Sequence, residues 1–265
     1  MSGAGGAARW RGLLYRLYAR RLEAEVRRRP TPRHVGIILD GNRRWARAQG
    51  RDPVDAYRVG AAKLDEVLAW CVDLAIPAVT LWACSTENLG RAPDELRGLL
   101  SVIENKLNAI AGDPRVHRRR IRVRAVGKLD LLPDSTLAAI RRAEQATEGY
   151  GDAVLTFALA YGGRQEIADA VRRLVRDRAK QGGTLDEIVD AVTQEEISRY
   201  LYAPDLPDPD LIIRTSGEVR LSGFLLWQSA YSEYYFCDVF WPDFRKIDFL
   251  RAIRSYERRK RRRGA

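Results

Sequence analysis

The feature that most constrains the fold is a repeated order of short apolar run, polar cluster and helical segment. Apolar runs of this length, rich in branched side chains, are typical of buried parallel strands. Strands that alternate with helices imply a mostly parallel central sheet wrapped by helices, and no linker divides the chain, so we predict a single α/β domain. The predicted strands are residues 34–39, 78–84, 121–126, 153–160 and 211–213, with two further candidates at 225–228 and 239–241.

Three of these strands end in polar clusters, at residues 40–44, 85–91 and 214–218. Parallel strands bring their carboxyl ends to one edge of a sheet, where ligands bind, so we expect the clusters to converge. Together they supply a carboxylate, hydroxyls, an amide and several arginines, and arginine suits a bidentate grip on phosphate. The alternative is that each cluster is an ordinary set of turn residues. The agreement of three clusters favours a substrate that carries phosphate.

The first cluster places Asp40 just before a predicted helix. Helix N-termini carry unpaired N–H groups and the positive end of a dipole, so they bind anions. Asp40 is therefore expected to be a metal ligand or an acid/base group beside an anion, with an ordinary helix cap as the alternative.

Several other site classes are not expected. The sequence has no G-x-x-x-x-G-K-[ST] loop, no G-x-G-x-x-G after a strand and no G-x-S-x-G elbow. Its two histidines, His34 and His117, make a histidine-based triad or a histidine-rich metal site improbable. Asp205, Asp208 and Asp210 alternate with prolines, which is typical of a solvated loop.

The formal charge of +11 is concentrated at the two ends of the chain. Residues 1–33 hold nine arginines against Glu23 and Glu25, and residues 251–265 hold seven arginines and one lysine against Glu257. Each end therefore carries +7 and the rest of the chain carries −3. A nucleic-acid-binding protein would spread positive charge along one face of its fold, so we expect no nucleic-acid partner.

We divide the chain into a basic N-terminal arm, residues 1–33, and the domain proper, residues 34–265, with a basic C-terminal tail. The arm contains a predicted amphipathic helix at residues 10–29, which either packs on its own domain or lies on an anionic membrane. Three scattered cysteines and the lack of a signal peptide predict a cytoplasmic protein, with peripheral contact with the inner face of the membrane left open. The apolar stripe of the helix consists of Leu13, Leu14, Leu17, Tyr18 and Leu22.

From residue 34 to residue 264, several motifs in this order and spacing closely resemble the cis-prenyltransferases, the undecaprenyl diphosphate synthase family. The resemblance implies the fold of that family and a Mg²⁺-dependent condensation of isopentenyl diphosphate with an allylic diphosphate, which forms a Z double bond. It also implies a homodimer, in which Arg262-x-Gly264 reaches into the partner's site. The motifs are Asp40-Gly-Asn-Arg-Arg-Trp-Ala, Ser85-Thr-Glu-Asn, Tyr161-Gly-Gly-Arg, Ile213-Arg-Thr-Ser-Gly-Glu218, Arg220-Leu-Ser222 and Leu225-Leu-Trp-Gln228.

The resemblance also implies roles for individual residues. Asp40 and Glu233 match the metal carboxylates, and Asp40 assists departure of the allylic diphosphate. Asn88 and Ser85 match catalytic groups near proton removal. The residues that match substrate-binding positions are Gly41, Asn42, Arg43 and Arg44 in the first cluster and Trp45 after it, Thr86, Glu87, Leu89 and Arg91 in the second cluster, and Arg214 in the third cluster with Arg220, Leu221 and Ser222 after it.

The sequence departs from the family pattern where the allylic substrate is expected. Pro53 and Tyr57 stand in place of the usual Arg and His. Arg51 and Arg58 are the candidates to replace part of the lost anion binding. Cys84 and Leu89 replace two usual aromatic residues. With these substitutions, the sequence resembles the short-chain actinobacterial members of the family. We therefore expect a short product, (2Z,6E)-farnesyl diphosphate made from geranyl diphosphate, with bulky side chains such as Trp82 and Phe157 filling the tunnel.

The sequence leaves two alternative functions open. One is a long-chain polyprenyl diphosphate synthase of the same family, and the other is a non-catalytic family subunit that supports an active partner. Such subunits lose the metal carboxylate, whereas this chain retains Asp40, Glu233 and the arginines.

Overall fold

The computed structural model describes residues 3–263, and the side chains of residues 15–258. Six parallel strands form one sheet in the order β3-β4-β2-β1-β5-β6, as the alternation of strands and helices predicts. The strands are β1 (His34–Ile38), β2 (Ala78–Trp82), β3 (Ile121–Val126), β4 (Ala153–Ala158), β5 (Leu211–Arg214) and β6 (Glu233–Phe236). The helices are α1 (Gly3–Arg27), α2 (Asn42–Ala48), α3 (Pro53–Asp73), α4 (Pro93–Ala111), α5 (Pro114–Arg118), α6 (Asp134–Thr147), α7 (Gly163–Lys180), α8 (Leu185–Asp190), α9 (Gln194–Arg199) and α10 (Lys246–Arg263).

The last strand differs from the prediction. Residues 225–228 form turns, with Leu225 at a positive φ of 44°, and residues 239–241 lead into a short 3-10 turn that contains Pro242. The strand is instead β6, whose four residues are all half-buried. The prediction was wrong because this edge strand, Glu-Tyr-Tyr-Phe, lacks the aliphatic run that identifies a buried strand.

The register places three strand ends side by side. Ile38 at the end of β1 pairs with Trp82 at the end of β2 and with Arg214 at the end of β5. The polar clusters that follow these strands therefore leave the sheet at the same level, on both sides of the central strand.

Two apolar cores cover the two faces of the sheet. The larger contains Val35, Ile37, Leu81 and Phe157 of the sheet together with buried side chains of α3, α4 and α10. The smaller contains Ile38 and Ile212 of the sheet with Phe224 and Leu225 of the turns that follow β5. Successive strand residues point to opposite faces, which is why Ile37 and Ile38 belong to different cores.

The N-terminal helix packs on the C-terminal helix. In α1, Leu22 is buried and Glu23 pairs with Lys246 of α10, whose Nζ lies 2.8 Å from Oε2 of Glu23. Leu17 and Tyr18 of the predicted stripe are exposed, at 54% and 39%, while the side chains of Leu13 and Leu14 lie outside the described part of the chain. Between residues 3 and 263, no helix is long and apolar enough to cross a bilayer.

His34 ties the start of β1 to the loop before β5 and sets an acid limit on stability. The imidazole is buried, with Nδ1 2.6 Å from the carbonyl oxygen of Pro207 and Nε2 2.8 Å from Oγ1 of Thr80. Burial lowers its pKa to about 4, although the Pro207 carbonyl and Asp210 act in the opposite direction. The folded state therefore binds a proton at His34 less readily than the unfolded chain does.

We expect this contribution to stability to be complete above the unfolded pKa of about 6.5 and to be lost as the pH falls toward about 4, by roughly 3 kcal/mol in total. Urea unfolding of the wild type and of His34→Gln at pH 7 and pH 4.5 measures it. The variant should lose less stability on acidification than the wild type does, and an identical loss in both would contradict this role for His34.

Candidate active site

The carboxyl ends of β1, β2 and β5 open into a cavity of about 430 Å³. All three polar clusters contribute to its wall, so the predicted convergence is observed. The predicted site residues that line it are Asp40, Gly41, Asn42, Arg43, Arg44, Ser85, Asn88, Arg91, Arg214 and Ser222.

Asp40 and Arg214 form the centre of this cavity. Nη2 of Arg214 lies 2.7 Å from Oδ2 of Asp40, and Arg214 is almost fully buried. Oδ1 of Asp40 accepts a 2.6 Å hydrogen bond from the backbone N–H of Gly41. Burial raises the pKa of Asp40, but hydrogen bonds from Arg214 and Ser216 outweigh it and hold the pKa below its usual value. Asp40 is therefore a carboxylate at neutral pH.

The turn after Asp40 requires glycine. Gly41 has a φ of 100°, and a Cβ added there would come within 2.6 Å of the Phe240 ring and 3.0 Å of Cβ of Ser216. Both the backbone conformation and the close approach exclude a side chain. The tight turn aims the next residues, from Asn42 onward, into the cavity wall.

Arg44 is held in place by the third cluster. Its guanidinium donates to Oε1 of Glu218 at 2.8 Å and to Oγ of Ser216 at 2.6 Å, and it lies 3.5 Å from Oδ2 of Asp40. Two strand ends are thereby joined across the cavity. The arrangement fixes a cation next to the Asp40 carboxylate before any substrate binds.

Only part of the second cluster reaches the cavity. Ser85 and Asn88 form a reciprocal cap of the 3-10 turn Thr86–Gly90, in which Oγ of Ser85 accepts from the Asn88 N–H at 3.3 Å and Oδ1 of Asn88 accepts from the Ser85 N–H at 3.1 Å. This leaves the Asn88 amide donors available to a ligand. The turn directs Thr86, Glu87 and Leu89 away from the cavity wall: Glu87 is exposed and Leu89 packs against the larger core.

After the third cluster, Ser222 lines the cavity, whereas Arg220 and Leu221 do not. Oγ of Ser222 accepts a 2.9 Å hydrogen bond from Nη1 of Arg214. Arg220 is exposed and pairs with Glu218, although its carbonyl oxygen accepts from Arg214. Leu221 packs against the smaller core. Neither Arg220 nor Leu221 lines the cavity in this structure.

Two further predicted site residues lie elsewhere. Trp45 is buried in a small apolar cluster with Ala46 and Ala56 and does not line the cavity. Glu233 begins β6 opposite Leu211, three residues before the level of Arg214, so the structure does not place it beside Asp40. Arg262 and Gly264 lie outside the described side chains.

The structure shows where Pro53 and the two candidate replacement arginines, Arg51 and Arg58, lie. Pro53 is the first residue of α3 and contributes no cation. Arg51 lies over the Trp45 ring, at 5.7 Å from the ring centroid, and Arg58 pairs with Asp55 at the surface. Neither arginine lines the cavity, so neither replaces the missing anion grip there.

Two cavity residues with a charged or hydroxyl side chain, Arg47 and Tyr57, were not in our predicted site. Arg47 lines the wall one helical turn after Arg43 and Arg44, a spacing from which the sequence could have identified it. Tyr57 also lines the wall, where its hydroxyl donates to Oε1 of Glu95 at 2.6 Å. Because Tyr57 departs from the family motif, no pattern in the sequence assigned it a role.

A smaller apolar cavity of about 60 Å³ adjoins the polar one, between α3, α4 and the sheet. The two share five residues in their walls, Leu39, Asn42, Tyr57, Ala83 and Leu99. Phe157 lines the apolar cavity, in agreement with its predicted position. Trp82 does not line the apolar cavity; it lines the polar cavity and stacks on Phe224 of the smaller core, with ring centroids 5.3 Å apart. The apolar cavity is lined by Leu39, Asn42, Tyr57, Gly60, Ala61, Leu64, Ala83, Leu99, Val102, Ile103, Lys106, Phe157 and Trp241.

Comparison with known proteins identifies the family. Residues 38–264 match the family described as "Putative undecaprenyl diphosphate synthase". A tritrans,polycis-undecaprenyl-diphosphate synthase (geranylgeranyl-diphosphate specific) of Methanopyrus kandleri is 54% identical over 95% of this chain and 91% of that protein. A (2Z,6E)-farnesyl diphosphate synthase of Thermobifida fusca is 53% identical over 95% of this chain and 97% of that protein.

A solved structure agrees with these sequence matches. It is the lavandulyl diphosphate synthase from Lavandula x intermedia in complex with dimethylallyl diphosphate, with a TM-score of 0.78 and 30% sequence identity over 86% of this chain and 95% of that one. Fold, site and sequence therefore agree that the chain belongs to the undecaprenyl diphosphate synthase family and is a cis-prenyltransferase.

Proposed function

We propose that this cis-prenyltransferase condenses isopentenyl diphosphate with geranyl diphosphate and releases (2Z,6E)-farnesyl diphosphate and diphosphate. One observation carries the proposal: a polar cavity walled by arginines adjoins a small apolar cavity and shares part of its wall with it. The first suits two diphosphate groups, and the second lies where the prenyl chain of the allylic substrate would enter. The 53% identity to the farnesyl diphosphate synthase of Thermobifida fusca supports the product.

In this reaction the carbon–oxygen bond of the allylic diphosphate breaks, and its electron pair leaves with the diphosphate. The terminal alkene carbon of isopentenyl diphosphate bonds to the allylic carbon, and a proton leaves carbon 2 to form the new Z double bond. Negative charge therefore grows on the leaving group, where Arg43, Arg44 and Arg91 are placed to stabilise it.

We assign the second diphosphate, that of isopentenyl diphosphate, to Arg214 and Ser222. Both are fixed by hydrogen bonds to each other and, through Arg214, to Asp40. Asn88 and Ser85 line the same cavity and follow β2, on the other side of β1 from β5. Neither is a base at neutral pH, so we assign them to orienting the group that accepts the departing proton.

The donor set at Asp40 fits Mg²⁺. Mg²⁺ is commonly held by one or two carboxylates together with substrate phosphates and water, and Asp40 offers one carboxylate at the cavity. Oδ1 accepts from the Gly41 N–H and retains a lone pair for a cation, whereas Oδ2 accepts from both Nε and Nη2 of Arg214. Among side chains 15–258, no three or more His, Cys, Asp or Glu residues are grouped so that they could hold a metal ion. When bound, Mg²⁺ would stabilise the charge of the departing diphosphate.

The apolar cavity favours a short product over a long one. Its 60 Å³ is far below the several hundred Å³ of ordinary ligand pockets, so it must widen even for a short chain. The relative from Methanopyrus kandleri, an undecaprenyl-diphosphate synthase by name, keeps the long-chain alternative open. The small size of this cavity, which has Phe157 and Trp241 in its wall, is our reason to prefer the short chain.

The activity of the chain on its own tests the proposal against the non-catalytic subunit. The purified protein is incubated with geranyl diphosphate, labelled isopentenyl diphosphate and Mg²⁺, and sedimentation velocity gives the size of the active species. We expect turnover by a homodimer without any added partner. A chain that is folded and inactive alone, and becomes active only with a different family member, would be a supporting subunit.

We also propose that α1 touches an anionic membrane surface. The exposed Leu17 and Tyr18 lie among the exposed Arg20 and Arg21, and the helix packs on the basic α10. We expect sedimentation with phosphatidylglycerol vesicles that weakens as salt rises, and weaker binding by Leu17→Ser. The matched change of another exposed leucine, Leu185→Ser, should have no effect. Equal binding to neutral vesicles, or equal loss in both variants, would contradict it.

A further inference from the structure

Four side chains meet at one wall of the polar cavity, one each from α2, α3, α4 and the turn before α4. The Tyr57 hydroxyl of α3 donates to Oε1 of Glu95 in α4 at 2.6 Å and accepts from Nη1 of Arg91 at 2.5 Å. Glu95 also lies 3.3 Å from Nη1 of Arg91 and 3.3 Å from Nε of Arg43 in α2. The Arg91 guanidinium lies 5.7 Å from the centroid of the Tyr57 ring.

The charge balance of this cluster favours an anion. Glu95 is the single carboxylate and is mostly buried, at 15% exposure of its side chain, while Arg91 and Arg43 are two cations that both line the cavity. One positive charge is thus left over on the wall. A diphosphate in the cavity is the group that would neutralise it.

The Tyr57 hydroxyl connects the acid to the arginine. It satisfies one lone pair of Glu95 and gives Arg91 a second acceptor, so the arginine has two fixed partners instead of one. Burial and the neighbouring Glu95 raise the pKa of Tyr57, so the phenol stays protonated at working pH and the connection persists. An arginine fixed before substrate arrives loses less side-chain freedom on binding.

Tyr57 also stands at the junction of the two cavities and lines both of them. A bound allylic diphosphate must cross this junction, with its diphosphate on the arginine side and its prenyl chain on the apolar side.

We infer that Tyr57 is a positioning residue for the allylic diphosphate: with Glu95 it holds Arg91 and Arg43 at the anion. The inference rests on the proposed function, because it takes an allylic diphosphate as the occupant. It assigns a role to the phenol that stands where the family pattern has histidine.

The test is Tyr57→Phe, which keeps the ring and removes the hydroxyl. We expect the KM for geranyl diphosphate to rise about ten-fold, which corresponds to about 1.4 kcal/mol, while the KM for isopentenyl diphosphate changes little. The matched control is Tyr202→Phe, because Tyr202 donates to Oδ2 of Asp169 at 2.7 Å but does not line the cavity. It should lose similar stability in thermal unfolding and keep both KM values.

A double-mutant cycle shows whether Tyr57 acts through Arg91. In the background of Arg91→Ala, adding Tyr57→Phe should change the KM for geranyl diphosphate less than two-fold, because the group that Tyr57 positions is already gone. An unchanged KM in Tyr57→Phe, or effects of the two changes that simply multiply, would overturn the inference. Absence of turnover in the wild type in the same assay would instead reject the proposed function, so the two failures are distinct.

Discussion

Replacing Asp40 with asparagine is expected to lower kcat for condensation by about 10²-fold or more, the size of effect seen when one preorganised charge-stabilising group is removed. The amide keeps the shape of Asp40 and retains an acceptor for Arg214, but it is neutral and a poor ligand for Mg²⁺. We therefore also expect half-maximal activity to require more Mg²⁺ than in the wild type. Steady-state kinetics across a Mg²⁺ titration measures both effects.

The control for this change is another acid held by an arginine. Asp248 is buried and accepts from Nε of Arg245 at 2.9 Å, at the start of α10. Asp248→Asn should lower the midpoint of thermal unfolding as Asp40→Asn does and leave kcat within about two-fold. If Asp40→Asn kept wild-type kcat and Mg²⁺ dependence, Asp40 would be only a structural partner of Arg214.

The second large effect is expected on product chain length, from a change of Phe157 in the wall of the apolar cavity. Replacing Phe157 with alanine removes most of a buried ring and should shift the main product to chains longer than farnesyl diphosphate. The reason is geometric: a larger cavity of about 550 Å³ is lined by residues of the same strand and helix, Leu155 two residues before Phe157 on β4 and Leu68 one turn beyond Leu64 on α3. Chromatography of the dephosphorylated products measures chain length.

A large-to-small change in a core costs about 3–5 kcal/mol of stability, so a second truncation separates stability from product length. Phe249 is fully buried beside Trp70, with ring centroids 5.9 Å apart, on a helix away from the cavity. Phe249→Ala should lose comparable stability and still make the wild-type product. Unchanged product length in a folded Phe157→Ala would show that Phe157 does not limit the chain.

The strands at the centre of the sheet could be predicted from the sequence, and the last edge strand could not. Residues buried on both sides form continuous apolar runs, so β1, β2 and β4 were recognisable, although β2 and β4 each end two residues earlier than predicted. β6 lies at the sheet edge and is half-buried throughout, so its composition carries no such signal. Strand order depends on contacts between segments distant in sequence.

The site divides in the same way. Arg214 ends a strand, and Asp40 and Ser85 lie two and three residues beyond one, so the parallel register brings these positions together. Positions further from a strand end depend on local geometry that sequence spacing does not give. The 3-10 turn after Ser85 rotates Glu87 out of the cavity, for example, and Tyr57 is recruited from the second turn of α3.

The most direct test of the central claim is the size and geometry of the product made by the unmodified chain. The purified protein is given geranyl diphosphate, labelled isopentenyl diphosphate and Mg²⁺, and the dephosphorylated products are resolved by chain length and by double-bond geometry. We predict one addition, which yields farnesyl diphosphate with a Z bond at position 2 and an E bond at position 6. Products of ten or more isoprene units would contradict the short-chain account.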